Sequence, residues 1–512
     1  MSTRLTRRRF GLSLVAAGLA GCRRRPTAAD PHHDAEPRAR ERVRVDVARV
    51  VGPFDRLSGA QGSPAAIVDG EPELVRQFQA ASIGRTRFPQ DCEPNTLTLA
   101  GIFPDDAADP ESASSYHFEA IDRHVRAARA AGARVLWQAS YDVGRSDHWK
   151  GLNLGGRPPA DLRRWTKVVA RCLDHFAAGW ANGFDGAVDA VEFINEPDGL
   201  GGFNGADAKR LSQAFIDFLD TIEAWNRAHP AIAVRAVGPG IPLSFAEWPT
   251  WRPRFDAALG ELKKSGKTLP VFSFHTYGDD VSPAANEKLA RALRALLDAH
   301  AMTSTELWNT EWQAGDFLRQ HLSIDAARAT RAGDAERRRF TAAAASYAIA
   351  CKLRWQGVVA GSCYYRANRR AFPPGRTPPQ IDTRAGEGPF FHANGKLAGL
   401  GLQEVLLKRV AETTPERCPC EHGDDGLLTV TGLRSKDGSK VSVLVSNLDT
   451  RARDLDIHVV GAPRLARARV AVLDDREDLG FRPLAPPSTS AGDQVLAASI
   501  APLGSTWLLL EG

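Results

Sequence analysis

The sequence is short of lysine, of long apolar runs and of the signatures that mark metal and phosphate sites. Twelve of its 66 basic residues are lysine, which, with the high alanine content, reads as codon bias and not chemistry. No stretch approaches the ~20 apolar residues of a membrane span, which excludes a polytopic membrane protein. Cys418-Pro419-Cys420 has no second pair at zinc-finger spacing, there is no His-x-His cluster, and no glycine-rich loop follows the first expected strand. No metal and no other cofactor is assigned. A basic excess is missing too: net charge is +5, but residues 1–50 hold twelve Arg against five acids, leaving 54 bases against 56 acids in the other 462 residues. Nucleic acid is therefore not an expected partner.

With 512 residues, 25% charged and 43% hydrophobic, the chain is globular, and one large domain with a smaller one suits its length. Its first 22 residues read as an address. Arg7-Arg8-Arg9 precedes an apolar run from Phe10 to Ala20. Eleven helical residues span only about 16 Å, too short for a bilayer core of roughly 30 Å. The run suits a signal-peptide core, and the paired arginines suggest the twin-arginine route for folded cargo. It closes on Leu19-Ala20-Gly21-Cys22, which looks like a lipobox with Cys22 as the lipidated residue. The alternative is an ordinary signal peptide with an incidental cysteine. Residues 23–43, rich in Arg, Pro, Ala and His, read as a disordered tether, with Arg23, Arg24 and Arg25 beside the headgroups. The expected location is the cell envelope, periplasmic or on the surface face of a bacterial membrane.

From 44 to 408, short β-rich runs alternate with amphipathic helical patterns. Phe118, Ile121, Val125 and Ala128 mark one helix, and Leu162, Trp165, Val169, Cys172 and Phe176 another. Strands are expected near Val47–Val51, Gly84–Phe88, Arg134–Gln138, Ala190–Ile194, Val234–Gly238, Val271–His275, Glu306–Thr310 and Val358–Tyr364. Eight such units predict an α/β fold, a (β/α)8 TIM barrel. From 409 to 512, runs such as Leu427–Leu433, Lys440–Asn447 and Ser505–Leu510, split by Gly, Pro, Asp and Ser, predict a small C-terminal antiparallel β-sandwich. Its role is structural support or carbohydrate binding. Pro483–Gly492 reads as a loop. Cys172 and Cys351 fall on apolar helix faces, as buried small hydrophobes do; pairing of the other thiols is open.

In a barrel, reacting groups gather at the C-terminal ends of the strands. Strand four ends in Asn195-Glu196-Pro197 and strand seven in Thr310-Glu311-Trp312. Two carboxylates would thus face one cleft. A pair about 5–5.5 Å apart is what retaining cleavage of a glycosidic bond needs, one as nucleophile and one as acid/base.

These two motifs, with Arg87-Phe88 on strand two and Phe274-His275-Thr276-Tyr277 after strand six, resemble the clan A glycoside hydrolases, and are most similar to family 39, the β-xylosidase and α-L-iduronidase group. The likeness covers barrel and sandwich. It implies a glycosidase with Glu196 as acid/base and Glu311 as nucleophile, Asn195 on a sugar 2-hydroxyl, Arg87 and Tyr277 against the nucleophile, and His275 in the same subsite. Trp137, Trp312, Tyr364 and Tyr365 lie near strand ends, where rings stack on sugars or pack in a core. Strand eight ends in Cys363-Tyr364-Tyr365-Arg366, where many clan members place a Trp. Arg366, Arg369 and Arg370 suit either an acidic sugar or a solvated loop.

Three functional classes follow: a retaining glycosidase, a catalytically inactive polysaccharide-binding lipoprotein, and a metal-dependent barrel enzyme using Glu196, His275 and Glu311 as ligands. Carbohydrate is the expected substrate and a membrane, through the Cys22 anchor, the other expected partner.

Overall fold

Eight short parallel strands close into a barrel ringed by helices. The computed structural model describes residues 40–65, 71–88, 98–105, 107–140, 161–196, 208–278, 280–323, 334–365, 390, 397–476, 478–490 and 493–512. The described chain opens with β1 (Glu41–Asp46) and β2 (Gly52–Pro53) and then enters the barrel. The barrel strands are β3 (Ala60–Gln61), β4 (Arg85–Phe88), β5 (Arg134–Gln138), β6 (Val188–Glu192), β7 (Arg235–Leu243), β8 (Val271–Thr276), β9 (Glu306–Trp312) and β10 (Gly361–Tyr364), closing in the order β10-β3-β4-β5-β6-β7-β8-β9.

The helices form where the apolar spacing predicts them. In Leu162–Ala178, Trp165, Val169, Cys172 and Phe176 are buried on one face. Asp161 caps its start by accepting from the Arg164 backbone N–H at 3.0 Å, and Gly179 ends it at φ 76°, a left-handed value that glycine adopts freely. The barrel floor is filled by Leu136, Ala190, Val237, Val271, Trp308 and Cys363. Trp308 lies between two guanidinium groups, Arg85 at 4.4 Å and Arg235 at 4.9 Å from its ring centre. A side chain at Gly361 would meet that ring at 2.8 Å, so the position takes no larger residue without a shift. The floor is packed, which confines any cleft to the other end.

Two sheets follow the barrel. One has the order β12-β1-β15-β19-β18 and the other β17-β16-β20-β14-β13-β11-β2, with β11 (Glu416–Cys418), β12 (Cys420–Glu421), β13 (Leu428–Arg434), β14 (Lys440–Asn447), β15 (Arg453–Val460), β16 (Arg467–Leu473), β17 (Arg482–Leu484), β18 (Ser488–Ser490), β19 (Asp493–Ile500) and β20 (Ser505–Glu511). Their facing residues, among them Val43, Val45, Val443, Ile457, Leu496 and Leu510, form a separate core. The helix Asp334–Arg354 docks on this sandwich: the Ser346 carbonyl accepts from Ser446 Oγ at 2.7 Å and its hydroxyl donates to the Leu503 carbonyl at 3.1 Å.

The structure corrects the sequence reading at the start of the chain. The strand expected at Val47–Val51 is not in the barrel; β3 opens the barrel. Val43 and Val45 alternate with arginines, the pattern of a half-buried strand, and β1 carries them into the sandwich beside β15, in parallel. Val50 and Val51 are exposed. The sandwich is therefore not wholly antiparallel, and the segment read as a loop at Pro483–Gly492 holds the short strand β18 and part of β17.

Candidate active site

Polar side chains from six strands converge at the C-terminal mouth of the barrel, and Arg87 on β4 is their hub. It is buried, and each of its five N–H groups has a partner. Nε donates to Glu192 Oε2 at 2.6 Å, Nη1 to Gln61 Oε1 at 3.1 Å and Glu311 Oε2 at 2.7 Å, and Nη2 to Asn195 Oδ1 at 2.7 Å, with His275 Nε2 at 3.3 Å. The two adjacent carboxylates hold its charge against the cost of burial.

Local backbone geometry aims these groups. Beyond β6 the chain is pinned by three contacts: Phe193 N to the Val237 carbonyl at 2.8 Å, Asn195 N to Ser140 Oγ at 3.1 Å and Glu196 N to the Gly240 carbonyl at 3.1 Å. Glu196 is held at φ 41°, a left-handed value uncommon for residues other than glycine and tolerated where neighbours fix it. Gly240, at φ 64°, passes so close that an added Cβ would lie 3.4 Å from Glu192 Oε1 and 3.6 Å from His275 Nε2. The β8–β9 register slips by one between Phe274 and His275, pairing His275 with Glu311. That irregularity lets two consecutive residues face the barrel interior: Thr310 donates to Glu192 Oε1 at 2.7 Å, while Glu311 reaches Arg87.

Glu311 is buried, accepting from Arg87 on one oxygen and from the Tyr277 hydroxyl, at 2.9 Å, on the other. Burial, Glu311, Tyr365 and Glu196 push the Tyr277 phenol well above its ordinary range, so it remains a donor. Glu196 Oε1 lies 2.7 Å from His275 Nδ1. Burial, with Arg87 adding to it against the pull of Glu311 and Glu192, brings His275 down to about 4, so the ring is neutral. Asn195 Oδ1 accepts from both Arg87 and Gln138 Nε2, the latter at 2.8 Å, which leaves Asn195 Nδ2 buried and without a partner among the described residues.

One donor atom each from Glu196, His275 and Glu311 lie within 4.8 Å of one another, a spacing that metal ligands also show. The set does not suit an ion. Arg87 places a fixed positive charge against both Glu311 and His275, and His275 Nδ1 is already engaged with Glu196.

The residues inferred from sequence divide. Glu196, Glu311, Asn195, Arg87, His275 and Tyr277 come together, and the Tyr365 ring stands edge-on to Tyr277 at 6.3 Å. Trp137 and Trp312 do not line the mouth. Strand alternation turns Trp137 outward against Phe176, while Leu136 and Gln138 face in; Trp312 is buried against Trp355 and Tyr364. Tyr364 is likewise buried, its oxygen accepting from the Ala314 N–H at 3.0 Å. Cys22, Cys92, Pro197, Arg366, Arg369 and Arg370 lie outside the described residues. Cys172, Cys351, Cys363, Cys418 and Cys420 are free thiols.

Sequence reasoning missed Gln61, Gln138, Glu192 and Thr310. The signal was present for one of them: Glu192 interrupts an apolar strand at an inward position, where a charge needs a partner across the barrel.

No family model matches the sequence, and no curated protein matches it significantly. Solved structures do match the fold. A glucosidase from Croceicoccus marinus superposes with a TM-score of 0.65 at 19% identity, over 93% of this chain and 100% of that one. A GH39 enzyme from Xanthomonas axonopodis pv. citri gives 0.62 at 17%, over 94% and 99%. A monomeric β-xylosidase from Caulobacter crescentus CB15 gives 0.60 at 16%, over 92% and 99%. The barrel with its trailing sandwich is thus the fold of these glycosidases, along nearly the whole of each chain.

Proposed function

We propose that the chain is a retaining glycoside hydrolase acting on an oligo- or polysaccharide. The observation that carries this is the approach of the two strand-end carboxylates: oxygens of Glu196 and Glu311 lie within 4.8 Å. That close approach suits the carboxyl separation of about 5–5.5 Å at which a nucleophile reaches the anomeric carbon directly, as retaining cleavage needs.

Glu311 attacks the anomeric carbon as its bond to the glycosidic oxygen breaks, and Glu196 gives that oxygen a proton. The resulting glycosyl ester is opened by water, whose proton returns to Glu196, freeing the sugar and Glu311. Arg87 and Tyr277 hold one nucleophile oxygen each, and Asn195 Nδ2 offers a donor to a sugar hydroxyl at the reacting ring. The Tyr365 and Tyr277 rings supply apolar wall.

The twin arginines and the motif ending at Cys22 support export and anchoring of this enzyme by a lipid. Cys22→Ser should move it from the membrane fraction to the soluble one, and continued membrane association would remove the anchor.

The function is tested with the purified full-length chain on aryl glucosides, aryl xylosides, aryl uronides and bacterial exopolysaccharides, beside Glu311→Gln. Sugar release by the wild type that falls at least ~1,000-fold in the variant, with the fold intact, supports the mechanism. Polysaccharide binding without release across the panel would make the chain a binding protein instead.

A further inference from the structure

Glu192 takes no part in the two-step reaction, yet it is a fully buried carboxylate in the same cluster. Both of its oxygens are engaged, Oε2 by Arg87 Nε and Oε1 by Thr310 Oγ1. We propose that Glu192 is a positioning residue for the nucleophile: a third carboxylate that grips Arg87 so that the guanidinium serves Glu311 through a single N–H and is shared between two anions. This rests on the reading of Glu311 as nucleophile.

A guanidinium is a planar fork whose natural match is one carboxylate, engaged by two parallel N–H groups. Here the fork is split. With Nε turned to Glu192, only one Nη1 hydrogen meets Glu311, on Oε2, and Oε1 is left to Tyr277. Without Glu192, Arg87 would be free to clamp both Glu311 oxygens, competing with Tyr277 and withdrawing the electron pair that must attack. The second effect is charge. Arg87 is the fixed cation facing two carboxylates, so Glu311 receives only part of its attraction. The other titratable groups around the cluster are Glu196 beyond β6, His275 and Tyr277 on and after β8, Cys363 on β10 and Tyr365 after it. Of these, His275 is neutral and Tyr277 an undissociated phenol, so neither replaces the charge of Glu192. Despite its burial, Glu192 is held below the usual carboxylate range by the Arg87 charge and by its hydrogen bonds from Thr310 and Arg87, and so keeps that charge.

The sign of the effect follows. Removing the Glu192 charge leaves Arg87 to act on Glu311 alone, which favours the Glu311 carboxylate and lowers its titration midpoint. Glu192→Gln is nearly isosteric and keeps an acceptor for Arg87 Nε, while Glu192→Asp keeps the charge on a shorter arm. Both are compared with the wild type in the pH dependence of kcat/KM on an aryl glycoside, and in the titration of Glu311 followed by 13C NMR of labelled glutamate, assigned with Glu311→Gln.

For Glu192→Gln we expect a kcat lower by ~10–100-fold with KM little changed, and an acid limb about one pH unit lower. In Glu192→Asp the limb should stay at its wild-type position even where the rate falls. A slower Glu192→Gln enzyme whose acid limb and Glu311 midpoint both stay put would overturn the proposal and leave Glu192 a packing residue. If the wild type turns over no glycoside, it is the glycosidase reading that fails. The Glu311 midpoint then decides the Glu192–Arg87–Glu311 coupling by itself: a fall upholds it and no fall removes it.

Discussion

Arg87 Nη2 and His275 Nε2 lie 3.3 Å apart, a contact between a group that only donates and a ring nitrogen that must therefore accept. The proton of the neutral imidazole is then on Nδ1, which faces Glu196 Oε1. That oxygen accepts, so the proton that the proposed reaction takes from Glu196 would sit on its other oxygen. One arginine thus bears on both carboxylates, Glu311 by direct contact and Glu196 through a histidine tautomer.

The state of His275 can be read by 15N NMR. The ring should show the neutral Nδ1–H form from pH 8 down to pH 5 and titrate only near 4. Its folded value lies below that of an unfolded histidine, about 6.5, so the unfolded chain binds more protons between the two. The His275 contribution to stability is therefore full above about pH 6.5 and is lost as pH falls toward 4, amounting to about 3 kcal/mol. Urea titrations of wild type and His275→Asn at pH 7 and pH 5 test this. A wild type no less stable at pH 5, with the variant showing the same pH dependence, would refute it.

Glu196→Ala should separate substrates by leaving group. Glycosides with poor leaving groups need the proton and should slow by ~10²–10⁴-fold, whereas activated aryl glycosides should slow far less in the first step. Pre-steady-state release of aglycone measures that step, and equal slowing of both classes would remove Glu196 from the acid role.

Trp312 and Trp137 are expected to matter for stability and not for substrate affinity. Trp312→Ala opens a cavity beside Trp355 and Tyr364 and should cost about 3–5 kcal/mol. Trp137→Phe, which keeps the contact with Phe176, should cost less. Denaturant unfolding gives the first quantity, and KM on any hydrolysed glycoside should be unchanged in Trp137→Phe.

Below the site, Lys352 on the helix Asp334–Arg354 and Glu404 on the helix Gly399–Thr413 form a fully buried ion pair, with Arg56 3.9 Å from the second Glu404 oxygen. Lys352→Met strands Glu404 and should destabilise by about 3–5 kcal/mol, toward the lower figure because Arg56 remains. Lys352→Met with Glu404→Leu should recover much of that loss. A double variant no more stable than the single one would show that the pair is not what the helices depend on.

Much of the architecture was readable because barrel strands are short apolar runs and the helices between them keep strict spacing. Arg134–Gln138 and Lys440–Asn447 fall where the sequence puts them. The carboxylates were readable because one lies just beyond the end of β6 and the other near the end of β9. What escaped was set by partners far along the chain. Val43 and Val45 alternate as any half-buried strand does, and nothing local says that their partners are Ile457 and Val459. Trp137 and Trp312 look like sugar platforms until alternation and register are known. Gln138 and Gln61 carry no signature, since a buried amide earns its role only from the arginine and asparagine that meet it.

The placement of β1 bears on how the molecule is made. Glu41 accepts from Arg453 at 2.6 Å across a sequence separation of 412 residues, and β1 lies between β12 and β15. A chain emerging from its N-terminus therefore holds an unpaired strand until nearly all the rest has been synthesised, and closing that gap is a late, entropically slow event. The two sheets combine strands that precede the barrel with strands that follow it, so they are not a detachable module. Truncation beyond residue 413 would leave β1 and β2 without their sheets.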